Sequence, residues 1–87
     1  MANYRVEVKP SARKELERLS NQVIARITRR LDTLASNARP PGCKKLKGGD
    51  QEWRVRVGDY RVVYTVDDQN LLVEVTRIRH RSEVYER

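Results

Sequence analysis

Residues 52–64 read EWRVRVGDYRVVY, and this stretch decides the fold. Trp53, Val55 and Val57 alternate with Arg54 and Arg56, and after Gly58–Asp59 the apolar residues resume at Tyr60, Val62 and Tyr64. Period-two alternation marks a half-buried strand. Glycine at the first central position of a two-residue loop suits a type II′ turn, whose twist matches antiparallel strands. That turn predicts the register: Val57 opposite Tyr60, Arg56 opposite Arg61, Val55 opposite Val62, Arg54 opposite Val63 and Trp53 opposite Tyr64. Opposed residues share a face. One face is therefore Trp53, Val55, Val57, Tyr60, Val62, Tyr64 and Val66, and the other is Arg54, Arg56, Arg61, Val63 and Thr65.

Working outward, YRVEV (4–8) alternates in the same way and predicts a first strand. Pro10 suits a first helical position, where its missing N–H costs nothing. Ala12, Leu16 and Leu19, then Val23, Ile24, Ile27, Leu31 and Leu34, follow helical spacing and predict two amphipathic helices with a break at Ser20–Asn21. Their polar faces carry Arg13, Lys14, Arg18, Arg26, Arg29 and Arg30 with Glu15, Glu17 and Asp32, which reads as a solvated surface. NARPPGCKKLKGGD (37–50) ends the helical region through its prolines and glycines, leaving a basic loop of Lys44, Lys45 and Lys47 with a short edge strand near Leu46. Strands at 52–57, 60–66 and 71–78 follow, with DDQN (67–70) as the second turn and RIRHRSEVYER as a basic tail without clear period. The predicted fold is α+β, β-α-α-β-β-β, with two N-terminal helices packed on an antiparallel meander.

The 87 residues make one domain, 1–87, with a modest core drawn from Leu, Ile and Val, since Phe is absent and Trp53 is the single Trp. A net charge of +7 favours phosphate-rich or acidic partners. Cys43 is alone, which excludes a disulfide framework and fits a reducing compartment. The N-terminus has no signal-peptide pattern and no apolar run is long enough to span a membrane, so a cytoplasmic protein is expected. Asp50, Glu52, Asp59, Asp67 and Asp68 fall mostly at strand ends and turns, and one His and one Cys provide no ligand spacing. Neither a metal site nor a cofactor is expected.

Like charges directly opposed across strands are unfavourable. A face chosen for stability alone would place Glu or Thr opposite Arg56, yet Arg54, Arg56 and Arg61 cluster there with only Glu52 nearby. That points to an anion site, because the planar guanidinium fork donates paired hydrogen bonds to phosphate. The tail adds Arg77, Arg79, His80, Arg81 and Tyr85, and His80 is the one side chain whose ordinary pKa lies near neutrality.

With these residues in view, the chain resembles the RelE/ParE superfamily, the toxins of type II toxin–antitoxin pairs, and within it the RelE branch. The resemblance covers SARKELERL, KKLKG, WRVRVGDYRVVY and RHRSEVY, the last two motifs being the specific ones. It implies a metal-free endoribonuclease that enters the ribosomal A site and cuts mRNA by 2′-OH attack, held inactive by a cognate antitoxin. A hetero-oligomer with that antitoxin, able to bind operator DNA, follows from the same likeness. The family pattern falls on Arg54, Arg56, Arg61, Arg79 and Tyr85, with Arg81 as the alternative to Arg79. Lys44, Lys45, Lys47, Arg77 and Arg81 would bind RNA around them. Familiar members carry Lys where this chain has Arg54 and Arg56, and Arg is a poor general base because its pKa exceeds about 12. Tyr85 and His80 are the candidates for proton transfer. Two alternatives remain: a ParE-like toxin that inhibits DNA gyrase without cutting nucleic acid, and a non-catalytic RNA-binding module.

Overall fold

The computed structural model describes residues 3–47 and 51–84, with the side chains of 83 and 84 outside that description. Strand β1 (Arg5–Val8) leads into helices α1 (Pro10–Glu17) and α2 (Asn21–Leu34). Then come β2 (Lys44–Lys45), β3 (Glu52–Val57), β4 (Tyr60–Asp67), β5 (Leu72–His80) and the short helix α3 (Arg81–Val84). Pro10 opens α1 as expected, and Ser20 caps α2 by accepting the Val23 N–H on its hydroxyl oxygen at 3.3 Å. That cap satisfies one of the orphan donors of the first helical turn.

The five strands form one sheet in the order β1-β5-β4-β3-β2. The β3–β4–β5 meander is antiparallel, as expected, but β1 joins β5 in parallel, Val6 beside Val73 and Val8 beside Val75. The sheet is therefore mixed. The chain between β1 and β5, namely α1, α2 and strands β2 to β4, supplies the long connection that a parallel pairing demands. The short edge strand is present at Lys44–Lys45, against Trp53 and Arg54.

Every pair expected for the β3–β4 hairpin is found: Val57–Tyr60, Arg56–Arg61, Val55–Val62, Arg54–Val63 and Trp53–Tyr64. Gly58 has φ +59° and Asp59 does not share its sign, which is the type II′ form. The inner face packs Val55, Val62, Tyr64, Val66, Val73, Val75 and Ile78 against Ala12, Ile27, Leu31 and Leu34. Tyr64 buries its ring there and donates its hydroxyl to the Ala38 carbonyl at 2.8 Å, tying the central strand to the chain beyond α2. Burial pushes the Tyr64 phenol upward.

The tail departs from expectation. The last strand continues to His80 rather than ending at 78, and RIRH is its final segment. A β-bulge explains the missed period: Val63 pairs with Arg77 and Tyr64 with Val75, leaving Thr76 as the extra residue. Val73 and Val75 face inward, then Thr76 shifts the phase, so Ile78 faces inward while Arg77 and Arg79 face out. No helix among the described residues is long and apolar enough to cross a membrane.

Candidate nucleic-acid interface

The outer face of the sheet is organised in rows. Arg56, Arg61 and Arg79 stand opposite one another across β3, β4 and β5. The next row is Lys44, Arg54, Val63 and Arg77. Beyond it come Glu52, Thr65, Glu74 and Glu7, so the carboxylates gather at the opposite end of the same face. Charge is thus separated along the strands, with a cationic end near the β3–β4 turn. The bulge at Thr76 brings Arg77 and Arg79 into it.

Arg61 occupies the centre of the first row and is 4% exposed, the buried charged residue among those described. Its guanidinium places a cation beneath the surface. Arg56 is exposed and Arg54 half-buried. Arg79 is held from behind: its Nε donates to Glu15 Oε2 at 2.7 Å, and Glu15 Oε1 accepts the Ile78 backbone N–H at 2.8 Å. The sequence places Glu15 only on a wet helix face. Its partners lie 63 and 64 residues away, beyond any local signal.

His80 stands opposite Tyr60, in the row of the inner face, and its ring meets the Tyr60 ring edge-on with centroids 5.3 Å apart. Its Nδ1 accepts the Ser82 backbone N–H at 3.2 Å, which leaves the proton of the neutral ring on Nε2. Alternation therefore sets His80 and the Arg56–Arg61–Arg79 row on different faces. His80 lines a cleft of about 370 Å³ with Glu15, Arg18, Tyr60 and Arg79. Arg81 begins α3, its backbone N–H donating to the Asp59 carbonyl at 2.8 Å across the turn. Lys44 and Lys45 are exposed on the edge strand and Lys47 is exposed in the turn after it. Lys44 joins the Arg54 row, whereas Lys45 pairs with Trp53 on the other face. Tyr85 lies outside the described residues.

This basic sheet face sits on a chain whose residues 6–85 match the family model described as the ParE toxin of the type II toxin–antitoxin system, parDE. The chain belongs to the ParE toxin family. Relatives of this ParE-family chain carry RelE names. Toxin RelG of Mycobacterium tuberculosis is 27% identical over 88 residues, covering 97% of this chain and 98% of its own. The archaeal RelE–RelB complex from Pyrococcus horikoshii holds a chain that superposes with TM-score 0.82 at 27% identity, over 91% of this chain and 96% of that one. The isolated RelE toxin of Escherichia coli superposes with TM-score 0.78, also at 27% identity, over 97% and 92%. The expected superfamily and the RelE-like fold both hold, and the chain is a ParE-family member similar to proteins named RelE.

Proposed function

We propose that this toxin is a metal-free endoribonuclease that cuts mRNA in the ribosomal A site, with Arg61 at the centre of its reaction site. The observation that carries the reading is the row Arg56–Arg61–Arg79, whose middle guanidinium is 4% exposed. In the reaction, the 2′-oxygen bonds to the adjacent phosphorus as the P–O5′ bond breaks, giving a 2′,3′-cyclic phosphate and a free 5′-hydroxyl. The 2′-OH proton passes to a base, and a proton is delivered to the leaving 5′-oxygen. Fixed donors aimed at the developing phosphorane charge contribute several kcal/mol, about 3–4 for a single donor. Arg56, Arg61 and Arg79 fill that role, with Arg54, Arg77 and Lys44 holding flanking phosphates.

Proton transfer is assigned to Tyr85, because arginine keeps its proton and the His80 ring, though it shares a cleft with Arg79, packs edge-on against Tyr60 in the inner-face row. A phenol's ordinary pKa is near 10, and cations nearby would lower it and raise the fraction present as the phenolate base. The exposed lysines Lys44, Lys45 and Lys47, with Arg81, extend the electrostatic footprint on RNA.

Solved relatives are complexes of RelE with RelB, so a cognate antitoxin that covers the cationic face is proposed as this toxin's partner. A reducing, cytoplasmic setting suits the lone Cys43 and a ribosomal target. The ParE description of the matching family supports a second reading, gyrase inhibition without cleavage. Purified toxin added to translating ribosomes, followed by mapping of mRNA ends, tests the choice. Ends inside A-site codons are expected; intact mRNA together with blocked gyrase would establish the second reading instead.

A further inference from the structure

Helix α2 turns a second cluster of cations toward the hairpin. Arg26, Arg29 and Arg30 lie at helical spacings of three and four and share one side of the helix. With Thr33, Arg56 and Gly58 they line an open cleft of about 510 Å³ between α2 and the β3–β4 turn. The cleft lies where β3 has an unpaired edge, since β2 pairs only with Trp53 and Arg54.

The cluster is not arranged for the stability of the helix. Like charges at helical spacing of four disfavour an α-helix. Among the described residues no carboxylate lines the cleft. The ion pairs among the described residues engage Arg5, Arg39 and Arg79 and none of the cleft arginines. The Arg30 Nε is buried without an acceptor among the described residues. The floor is shaped for a guanidinium as well: Arg26 Nη2 lies 3.3 Å from the position a Cβ on residue 58 would take. Gly58 at φ +59° thus serves the turn and makes room for Arg26.

We propose that this cleft is a second binding site for RNA, holding backbone phosphates of the strand that crosses the outer face. Guanidinium groups bind phosphate or carboxylate through paired donors. Two features select phosphate carried by RNA. Arg56 lines the cleft and also begins the Arg56–Arg61–Arg79 row, so one cationic track runs from α2 around the β3 edge onto the sheet. An acidic helical peptide would also need an apolar stripe to rest on, and Val57 is the one large apolar side chain in the lining among the described residues. The proposal rests on the RNA reading of the sheet face and extends it to a strand longer than the scissile step.

The test uses the full-length toxin and a short single-stranded RNA with methylated 2′-hydroxyls, which binds without being cut. Dissociation constants are measured across a salt series for the parent, for Arg26→Gln/Arg29→Gln and for Arg26→Lys/Arg29→Lys, with unfolding midpoints confirming that each variant is folded. The Gln pair is expected to bind on the order of tenfold to a hundredfold more weakly, and to lower the slope of log K against log salt by about 0.7 per lost contact. The Lys pair should keep the slope. An unchanged slope in the Gln pair overturns the site, and so does lost binding to polyglutamate with RNA affinity intact. The outcomes separate the two readings. Parent toxin that binds with the expected slope yet never cuts on ribosomes would sink the nuclease reading and leave this site standing, whereas cutting with a slope insensitive to Arg26 and Arg29 would sink this site alone.

Discussion

Arg79 and Glu15 form an ion pair of 2.7 Å between the outer face of the sheet and helix α1. β1 pairs with β5 only as far as Val75, so the β5 edge beyond it is open, and Glu15 closes that edge by accepting the Ile78 N–H. One carboxylate therefore anchors a strand end and orients an arginine of the proposed site. Glu15→Gln retains an acceptor for Ile78 but loses the charge that holds Arg79. We expect stability to fall by about 1 kcal/mol or less while cleavage falls tenfold or more, with RNA affinity nearly unchanged. Urea unfolding run beside single-turnover cleavage checks this; equal losses in both would make Glu15 a purely structural residue.

Arg61 should be intolerant even of Lys. Lysine keeps the charge but not the planar fork, and removal of one fixed donor from a charge-stabilising site costs about 10²–10³ in rate. Arg61→Lys and Arg61→Gln are both expected to lose at least a hundredfold in single-turnover cleavage on programmed ribosomes. Parent-like cleavage by the Lys variant would show that a point charge is enough.

Tyr85→Phe and His80→Gln divide the proton-transfer question. Loss of a positioned general base or acid typically costs 10²–10⁴. We expect that scale of loss for Tyr85→Phe and a change of less than about tenfold for His80→Gln. The pH–rate profile is the decisive measurement, because a limb that disappears with His80→Gln would move the role to His80.

At the other end of the sheet, the Arg39 fork grips Asp68 at 2.9 and 3.3 Å, and the Tyr4 hydroxyl donates to the same carboxylate. Arg39 first, then Tyr4, holds the Asp68 carboxyl below its ordinary 3.8. A depressed carboxyl pKa adds stability above the ordinary value and loses it as pH falls through the folded value. Tyr4, raised above 10.0 chiefly by its bond to Asp68, adds stability below its ordinary value that is lost as pH rises through the folded one. Asp68→Asn should therefore lower the urea midpoint at neutral pH and converge with the parent in strong acid. A constant gap across the acid range would refute the linkage.

Thr76 is the residue that the β5 bulge adds, and removing it leaves Val73, Val75 and Ile78 on one face and Arg77 and Arg79 on the other in strict alternation. Deleting Thr76 should leave a folded protein at a cost of about 1–3 kcal/mol, the usual range for a mutation that disturbs local backbone pairing. Deleting Ile78 instead throws the following residues out of phase and removes a buried side chain, and is expected to unfold the chain. Circular dichroism melts of both deletions provide the comparison.

Much of the fold and part of the site were legible because their causes are local. A two-residue Gly58–Asp59 loop admits few turn geometries, and alternation on either side then dictates which residues oppose which. Hence the Arg56–Arg61 pairing, the apolar face and the helix break at Ser20 could be read from neighbours in the chain. The bulge also left a trace, the broken alternation of VEVTRIR, but a slip in phase is visible only once the partner strand is known. Other features depend on contacts between distant residues. The parallel pairing of β1 with β5, the Glu15 clamp on Arg79 and the gathering of Glu7, Glu52 and Glu74 away from the arginines are of this kind.

The chain's own pattern determined that arginines would line one side of a hairpin, because side-chain alternation is a property of the strand itself. Tertiary structure decided that Arg61 lies beneath the surface, that Arg79 joins its row while His80 does not, and that Arg56 meets the arginines of α2. Burial and convergence of charge depend on which strands flank β4 and which helix lies over the turn, and packing of the whole chain settles both.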